Sequence, residues 1–307
     1  MKILLATDGS PSATHAEELV SSIAWPQGTE IDVLWVDQFS DSQFDLSPQR
    51  YAEAHALTQD AIDAQLAELV QKLGSSGRTV RARVVLGRPA SAIVDEAQQL
   101  GSELVVVGSH NHGSLASLVL GSVSAEVVDR APCPVLVARR SHLGPIVLGL
   151  DGSAGARQAE ELIGAWPFLA RERVRVVSVS RLVPWYGSDA GLGAPVSGEV
   201  LQELIDAEQA ESQRLATEGA ARLARRGVVA SALVELGTPA AGLLEAITST
   251  NAELVVVGSH GSTGLTRVLL GSVARSILHQ APCSVLIVRE QKPSELKARS
   301  QERVALS

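Results

Sequence analysis

Glu103-Leu104-Val105-Val106-Val107-Gly108-Ser109-His110 recurs letter for letter as Glu253-Leu254-Val255-Val256-Val257-Gly258-Ser259-His260, 150 residues further along. Each stretch is a short apolar run ending in glycine, the pattern of a buried strand that opens into a loop. Outward from it the repeat continues at the same offset. Gly87-Arg88-Pro89 answers to Gly237-Thr238-Pro239, Leu120-Gly121-Ser122-Val123 to Leu270-Gly271-Ser272-Val273, and Ala131-Pro132-Cys133 to Ala281-Pro282-Cys283. Near each start, Asp8-Gly9-Ser10 answers to Asp151-Gly152-Ser153 at an offset of 143, so the second copy has gained residues in between. A period of this length in a chain of 307 residues gives two similar domains, over 1–140 and 144–289, followed by a tail over 290–307.

Within each copy strand and helix patterns alternate. In the first, strands are expected over 3–6, 31–36, 80–86, 104–107 and 135–137, with helices over 12–24, 49–73, 90–100 and 123–130. The second repeats the strands over 146–150, 174–179, 228–236, 254–257 and 285–288. Such alternation predicts an α/β fold of two tandem, open-twisted, five-stranded parallel sheets, doubly wound in the Rossmann-like manner, with right-handed crossovers and helices on both faces. Two regions fall outside the pattern: a Gly- and Pro-rich loop over 184–198, and the charged tail.

Composition agrees. Hydrophobic residues make up 45% and charged residues 20%, enough for a large core, while aromatic residues are only 3%. The core is therefore built from Val, Leu, Ile and Ala, as parallel strands covered by helices require. A net charge of −8 argues against nucleic acid or an anionic membrane as partner. It does not exclude a small anion, because backbone amides can bind one locally. The chain opens on a strand pattern rather than a leader, and its apolar runs fall far below the roughly 20 residues of a membrane span. A cytoplasmic protein is expected. Cys133 and Cys283, at equivalent positions just before a strand, read as buried apolar residues rather than a redox pair, and no Cys or His cluster has metal-ligand spacing.

Parallel sheets of this kind bind ligands at the carboxyl ends of their strands, at the topological switch point. In copy two the strand ending at Val257 runs into Gly258-Ser259-His260-Gly261, and nine residues later Gly271-Ser272-Val273 opens a helix. Glycine at a strand end permits positive φ and a close approach of the backbone to a ligand. Gly271 and Ser272 would then offer free amides, a hydroxyl and the positive end of a helix to phosphate oxygens. There is no Gly-x-x-x-x-Gly-Lys-Ser/Thr loop, no Gly-x-Gly-x-x-Gly after the first strands and no Gly-x-Ser-x-Gly, which weighs against P-loop, dinucleotide and serine-hydrolase chemistry.

On these residues the sequence resembles the universal stress protein family in its tandem-domain form. ATP-binding members carry Gly, two residues, Gly, nine residues, then Gly and Ser or Thr, which Gly258, Gly261, Gly271 and Ser272 match in full. The aspartate after the first strand is shared as Asp8 and Asp151, and the Ala-Pro-Cys-Pro-Val-Leu-Val ending of copy one is similar to the family's last strand. The resemblance implies that Asp8 and Asp151 contact the adenosine portion and that main chain at Val36 and Val179 holds adenine. It assigns ribose and phosphates to Gly258, Gly261, Gly271, Ser272 and Val273, and by the repeat to Gly108, Asn111, Gly121, Ser122 and Val123. Asn111 stands where the second glycine belongs, so the first site is expected to bind more weakly or differently.

Simpler roles exist for these positions. Asp8 and Asp151 can start turns or cap helices, His110 and His260 can serve loop packing, His112 has no counterpart, and Arg267 can be a solvated loop residue. The four tryptophans form no repeated stacking platform. The resulting expectation is an ATP-binding regulatory protein of the stress response that takes ATP, with Mg²⁺ if an aspartate lies near the phosphates, and that is not an enzyme. The alternatives are a slow ATP hydrolase and an interface-only module that binds no nucleotide. The implied partners are an adenine nucleotide and a protein of unknown identity, with the two copies packed as an intrachain pseudo-dimer through their last strands and pairing of whole chains also compatible.

Overall fold

The computed structural model describes residues 1–38, 48–74, 77–109, 120–181, 198–260 and 270–289, with the helical backbone only over 48–57. Most of the 184–198 loop, the 290–307 tail, Asn111, Gly261, His110, His112 and Arg267 lie outside the described residues. The first copy runs β1 (Lys2–Thr7), α1 (Pro11–Ser22), β2 (Thr29–Asp37), α2 (Pro48–Leu73), β3 (Arg78–Leu86), α3 (Pro89–Leu100), β4 (Leu104–Gly108), α4 (Ser122–Arg130) and β5 (Val135–Ala138). The second runs β6 (Ile146–Gly149), α5 (Ala154–Ala165), α6 (Pro167–Ala170), β7 (Val174–Ser180), α7 (Gly198–Ala224), β8 (Ala230–Leu236), α8 (Pro239–Ser249), β9 (Leu254–Gly258), α9 (Ser272–Gln280) and β10 (Ser284–Val288). The one-turn α6 has no counterpart in copy one. It carries Phe168 edge-on against Trp25 of the first copy, with ring centroids 4.6 Å apart.

Each copy is a five-stranded parallel sheet, ordered β3-β2-β1-β4-β5 and β8-β7-β6-β9-β10. The order reverses between β1 and β4, and between β6 and β9, which places a switch point in each copy. The two sheets are one: β5 pairs antiparallel with β10, with Val137 opposite Val285 and Leu136 opposite Leu286, and the result has ten strands.

Side chains alternate across the strands, so each face of this long sheet has its own core. Ile3 and Leu5 of β1 join α1, α2, α5 and α7 on one face, while Leu4 and Ala6 join α3, α4, α8 and α9 on the other. Both cores run unbroken from copy one into copy two. Cys133 and Cys283 are buried within the second, and neither is in a disulfide.

Helix starts follow local rules. The hydroxyls of Ser10 and Ser153 accept from the amides of Ala13 and Ala156 at 3.3 and 3.2 Å, capping α1 and α5. Pro89 and Pro239 open α3 and α8, where a missing N–H costs nothing. Among the described residues no helix is long and apolar enough to cross a membrane.

Candidate functional site

At the carboxyl end of β1 the chain turns through Asp8-Gly9-Ser10, and after β6 through Asp151-Gly152-Ser153. Gly9 and Gly152 take φ of +69° and +77°, a left-handed conformation that favours glycine. One carboxylate oxygen of Asp8 accepts from the Ser10 amide at 3.0 Å, and one of Asp151 from the Ser153 amide at 3.0 Å. The aspartates thus hold turns, and the helix caps are the serines two residues on.

The loop glycines work differently from the sequence expectation. Gly108, Gly258, Gly121 and Gly271 do not take positive φ; Gly121 and Gly271 are extended, at φ −68° and −61°. What Gly258 supplies is space for a helix. A Cβ there would lie 2.5 Å from the carbonyl carbon of Gly155 and 2.8 Å from the amide of Ala156, at the first turn of α5. Gly108 meets Ser12 and Ala13 of α1 in the same way, at 2.6 and 2.9 Å. Without side chains at the ends of β4 and β9, the helix after the Asp turn packs close, and the two parts of each site converge.

The Gly271 amide, expected to be free, donates to the Ser259 carbonyl at 2.8 Å, and Gly121 donates to Ser109 at 2.7 Å. These bonds close the loop and aim the next helix. The first-turn amides of Ser272, Val273 and Ala274 have no partner among the described residues, and the N-cap, Gly271, contributes no side-chain bond. Three N–H groups and the positive end of α9 therefore face the switch point, as anion binding requires. In copy one Ser124 stands where Ala274 does, and its hydroxyl donates to the Gly108 carbonyl at 2.6 Å.

A cavity lies at each switch point. The first is lined by fourteen residues, and every one has its repeat counterpart in the lining of the second. Asp8, Val36, Gly108, Gly121 and Val123 answer to Asp151, Val179, Gly258, Gly271 and Val273, so in each copy the expected positions are brought together. Ser272 also lines the second cavity, whereas Ser122, beside Gly121 at the start of α4, is not in the lining of the first.

The cavities differ in size, about 60 Å³ in copy one against about 650 Å³ in copy two. The second adds a lobe over α7, lined by Ser178, Glu208, Glu211, Ser212 and Leu215, and continues along Ser153, Ser259 and His260. Arg181 stands at its mouth, where copy one has Gln38. Hydrogen bonds from the Arg214 guanidinium, at 2.6 and 2.8 Å, hold the Glu211 carboxyl below its usual pKa. His260 shares a hydrogen bond with the Ser259 hydroxyl at 3.0 Å through Nδ1, which fits the loop-packing role. Its Nε2 is buried without a partner among the described residues.

The lobe residues are absent from the sequence expectation because no motif marks them. They follow from the repeat alone: the 143 offset pairs Ser178 with Trp35, and the 150 offset pairs Ser212 and Leu215 with Ile62 and Gln65. Among the described residues no group of three or more His, Cys, Asp or Glu side chains is placed to hold a metal ion.

The sequence profile described as "Universal stress protein family" matches residues 1–139 and again 143–289. Universal stress protein Rv2005c of Mycobacterium tuberculosis (strain ATCC 25618 / H37Rv) is 30% identical over 256 residues, covering 79% of this chain and 82% of that protein. Universal stress protein Rv1996 of the same organism is 29% identical over 316 residues, covering 94% of each. Among solved structures, a universal stress protein from Archaeoglobus fulgidus DSM 4304 superposes with a TM-score of 0.65 at 19% identity, covering 94% of this chain and 98% of that one. At that identity the likeness speaks to the fold.

Proposed function

This chain belongs to the universal stress protein family, with a role in the stress response, and from that premise we propose that it is an ATP-binding regulatory protein whose nucleotide sits in the second copy. The observation that carries this reading is the cavity of about 650 Å³ into which the Asp151 turn, the end of β7 at Val179 and the unpartnered first-turn amides of α9 converge. That volume is in the range of small-molecule sites, roughly 300–1,000 Å³. Adenine lies along Val179, with main chain there reading its edge. Ribose rests at the Asp151 turn, and the phosphates are held by the amides of Ser272, Val273 and Ala274 at the positive end of α9, which Gly271 opens. Asp151 can receive a Mg²⁺ ion that arrives with the nucleotide.

The reading is binding rather than turnover. Efficient phosphoryl transfer needs charge stabilisation on the transferred group and an oriented nucleophile. The segment 258–273 contains no lysine, and its one arginine is Arg267.

The test is calorimetric titration of Mg²⁺-ATP into protein stripped of nucleotide carried through purification, for wild type and Ser272→Pro. Proline is tolerated at the first helical position, and Gly271 already has the extended conformation that a residue before proline adopts. The substitution therefore leaves α9 in place while removing one amide and one hydroxyl from the phosphate seat. Affinity should fall about tenfold or more, or about 1.4 kcal/mol. Folded wild type that takes up no adenine nucleotide would refute the reading, and phosphate release in the same cell would replace binding with hydrolysis.

A further inference from the structure

The two sites share fourteen lining positions yet differ about tenfold in volume, about 60 against 650 Å³. Three side chains on the α2 face of the sheet differ between the copies beside these cavities. At the end of β2, Trp35 stands where β7 has Ser178; on the helix above, Ile62 and Gln65 stand where α7 has Ser212 and Leu215. The Trp35 ring lies over the Asp8–Gly9 turn, so that a Cβ on Gly9 would be 3.2 Å from its outermost carbon and 2.9 Å from Oε1 of Gln65. Gly152, the equivalent residue, meets only Leu215, at 3.4 Å. Ile62 is 5% exposed and belongs to the core under Trp35, whereas Ser212, equally buried, lines the open lobe.

Burying an aromatic ring and an isoleucine against the sheet is favourable in its own right. Copy one therefore gains core at the place where copy two keeps space. What remains there is a cavity of about 60 Å³, although its aspartate, glycines and helix start are retained.

We infer that Trp35, seconded by Gln65, is the residue that decides occupancy: it shuts the first site, and the chain holds one nucleotide rather than two. The inference rests on the nucleotide reading of the second site and assigns Trp35 a place in specificity that the glycine motif does not.

The test is the stoichiometry of saturating radiolabelled ATP, by equilibrium dialysis, in three full-length proteins. Wild type should bind one equivalent. Trp35→Ser/Ile62→Ser/Gln65→Leu, which gives the first copy the three residues of the second, should bind two. Ser178→Trp/Leu215→Gln, the reverse graft, should bind none, with its circular dichroism and melting profile retained. Two equivalents in wild type would overturn the inference and leave the nucleotide reading standing, whereas none would remove both. One equivalent in the reverse graft would show that the tryptophan does not shut a site, even if the first variant fails to fold.

Discussion

Arg139 and Arg289 stand at the same repeat position and each reaches across the seam between the copies to the end of the other copy's last helix. Arg139 donates to the Leu278 carbonyl at 2.6 Å and the Cys283 carbonyl at 3.4 Å; Arg289 donates to the carbonyls of Val128, at 2.9 Å, and Asp129. The last carbonyls of a helix lack intrahelical donors and carry the negative end of its dipole, so a guanidinium there satisfies both needs. Burial lowers the pKa of each arginine below its ordinary value.

Arg139→Ala should therefore loosen the seam without touching either cavity. Bonds from charged donors contribute about 1.5–3 kcal/mol each. The unpartnered Nε of Arg139 offsets part of this, which leaves an expected loss of about 2 kcal/mol in urea unfolding. Nucleotide affinity should not change. A variant as stable as wild type would mean that Arg139 contributes nothing to the seam beyond what the other contacts across it supply.

Gly258→Ala and Gly108→Ala should be about equally destabilising, since both new methyl groups collide with backbone at the first turn of α5 or α1. Overpacking of this kind costs about 1–3 kcal/mol. Their effects on ligand should differ: pushing α5 outward moves the Asp151 turn and weakens nucleotide binding, while the same shift in copy one is silent. Thermal melts and ATP titration of the two variants separate the effects.

Glu160 ties α5 to α7, accepting from Arg222 at 2.7 and 2.8 Å, and these hydrogen bonds to its carboxylate raise the arginine's pKa. Breaking a buried pair costs about 3–5 kcal/mol, but the Arg222 side chain is 37% exposed and screened by solvent. Glu160→Ala should cost about 1–2 kcal/mol in chemical unfolding and widen the lobe that α7 borders. An unchanged denaturation midpoint would show the pair to be incidental.

Both thiols should resist alkylation until the protein unfolds, because Cys133 and Cys283 are 0% and 1% exposed. Burial pushes the Cys283 thiol up from 9.0 to about 12. A pKa raised by folding favours the native state below the unfolded value and loses that contribution as pH rises through the folded one. Wild type should therefore lose stability relative to Cys283→Ala as pH rises from about 9 towards 12. Parallel stability curves for the two proteins over that range would contradict the assignment.

The tandem α/β fold and the strand ends that form each site were legible because the repeat is nearly literal at 104–107 and 254–257 and because apolar runs alternate with helical patterns. The roles of single residues were less so. Asp8 and Asp151 read either as ligand contacts or as residues that start a turn, and one oxygen of each carboxylate does hold a turn amide. Gly258 read as room for a ligand, yet it makes room for α5. The lobe over α7 left no local trace, since Ser178, Ser212 and Leu215 are ordinary residues whose meaning comes only from what stands opposite them in the other copy. A motif records what a site must contain; whether space remains around it is set by side chains brought from three other elements.

The antiparallel seam has a directional consequence. Ligand sites of parallel sheets open at strand carboxyl ends, and β5 and β10 run in opposite senses. The two mouths therefore face away from each other, at opposite ends of a ten-stranded slab. On the one-nucleotide inference drawn above, only one of these two ends would respond to ligand.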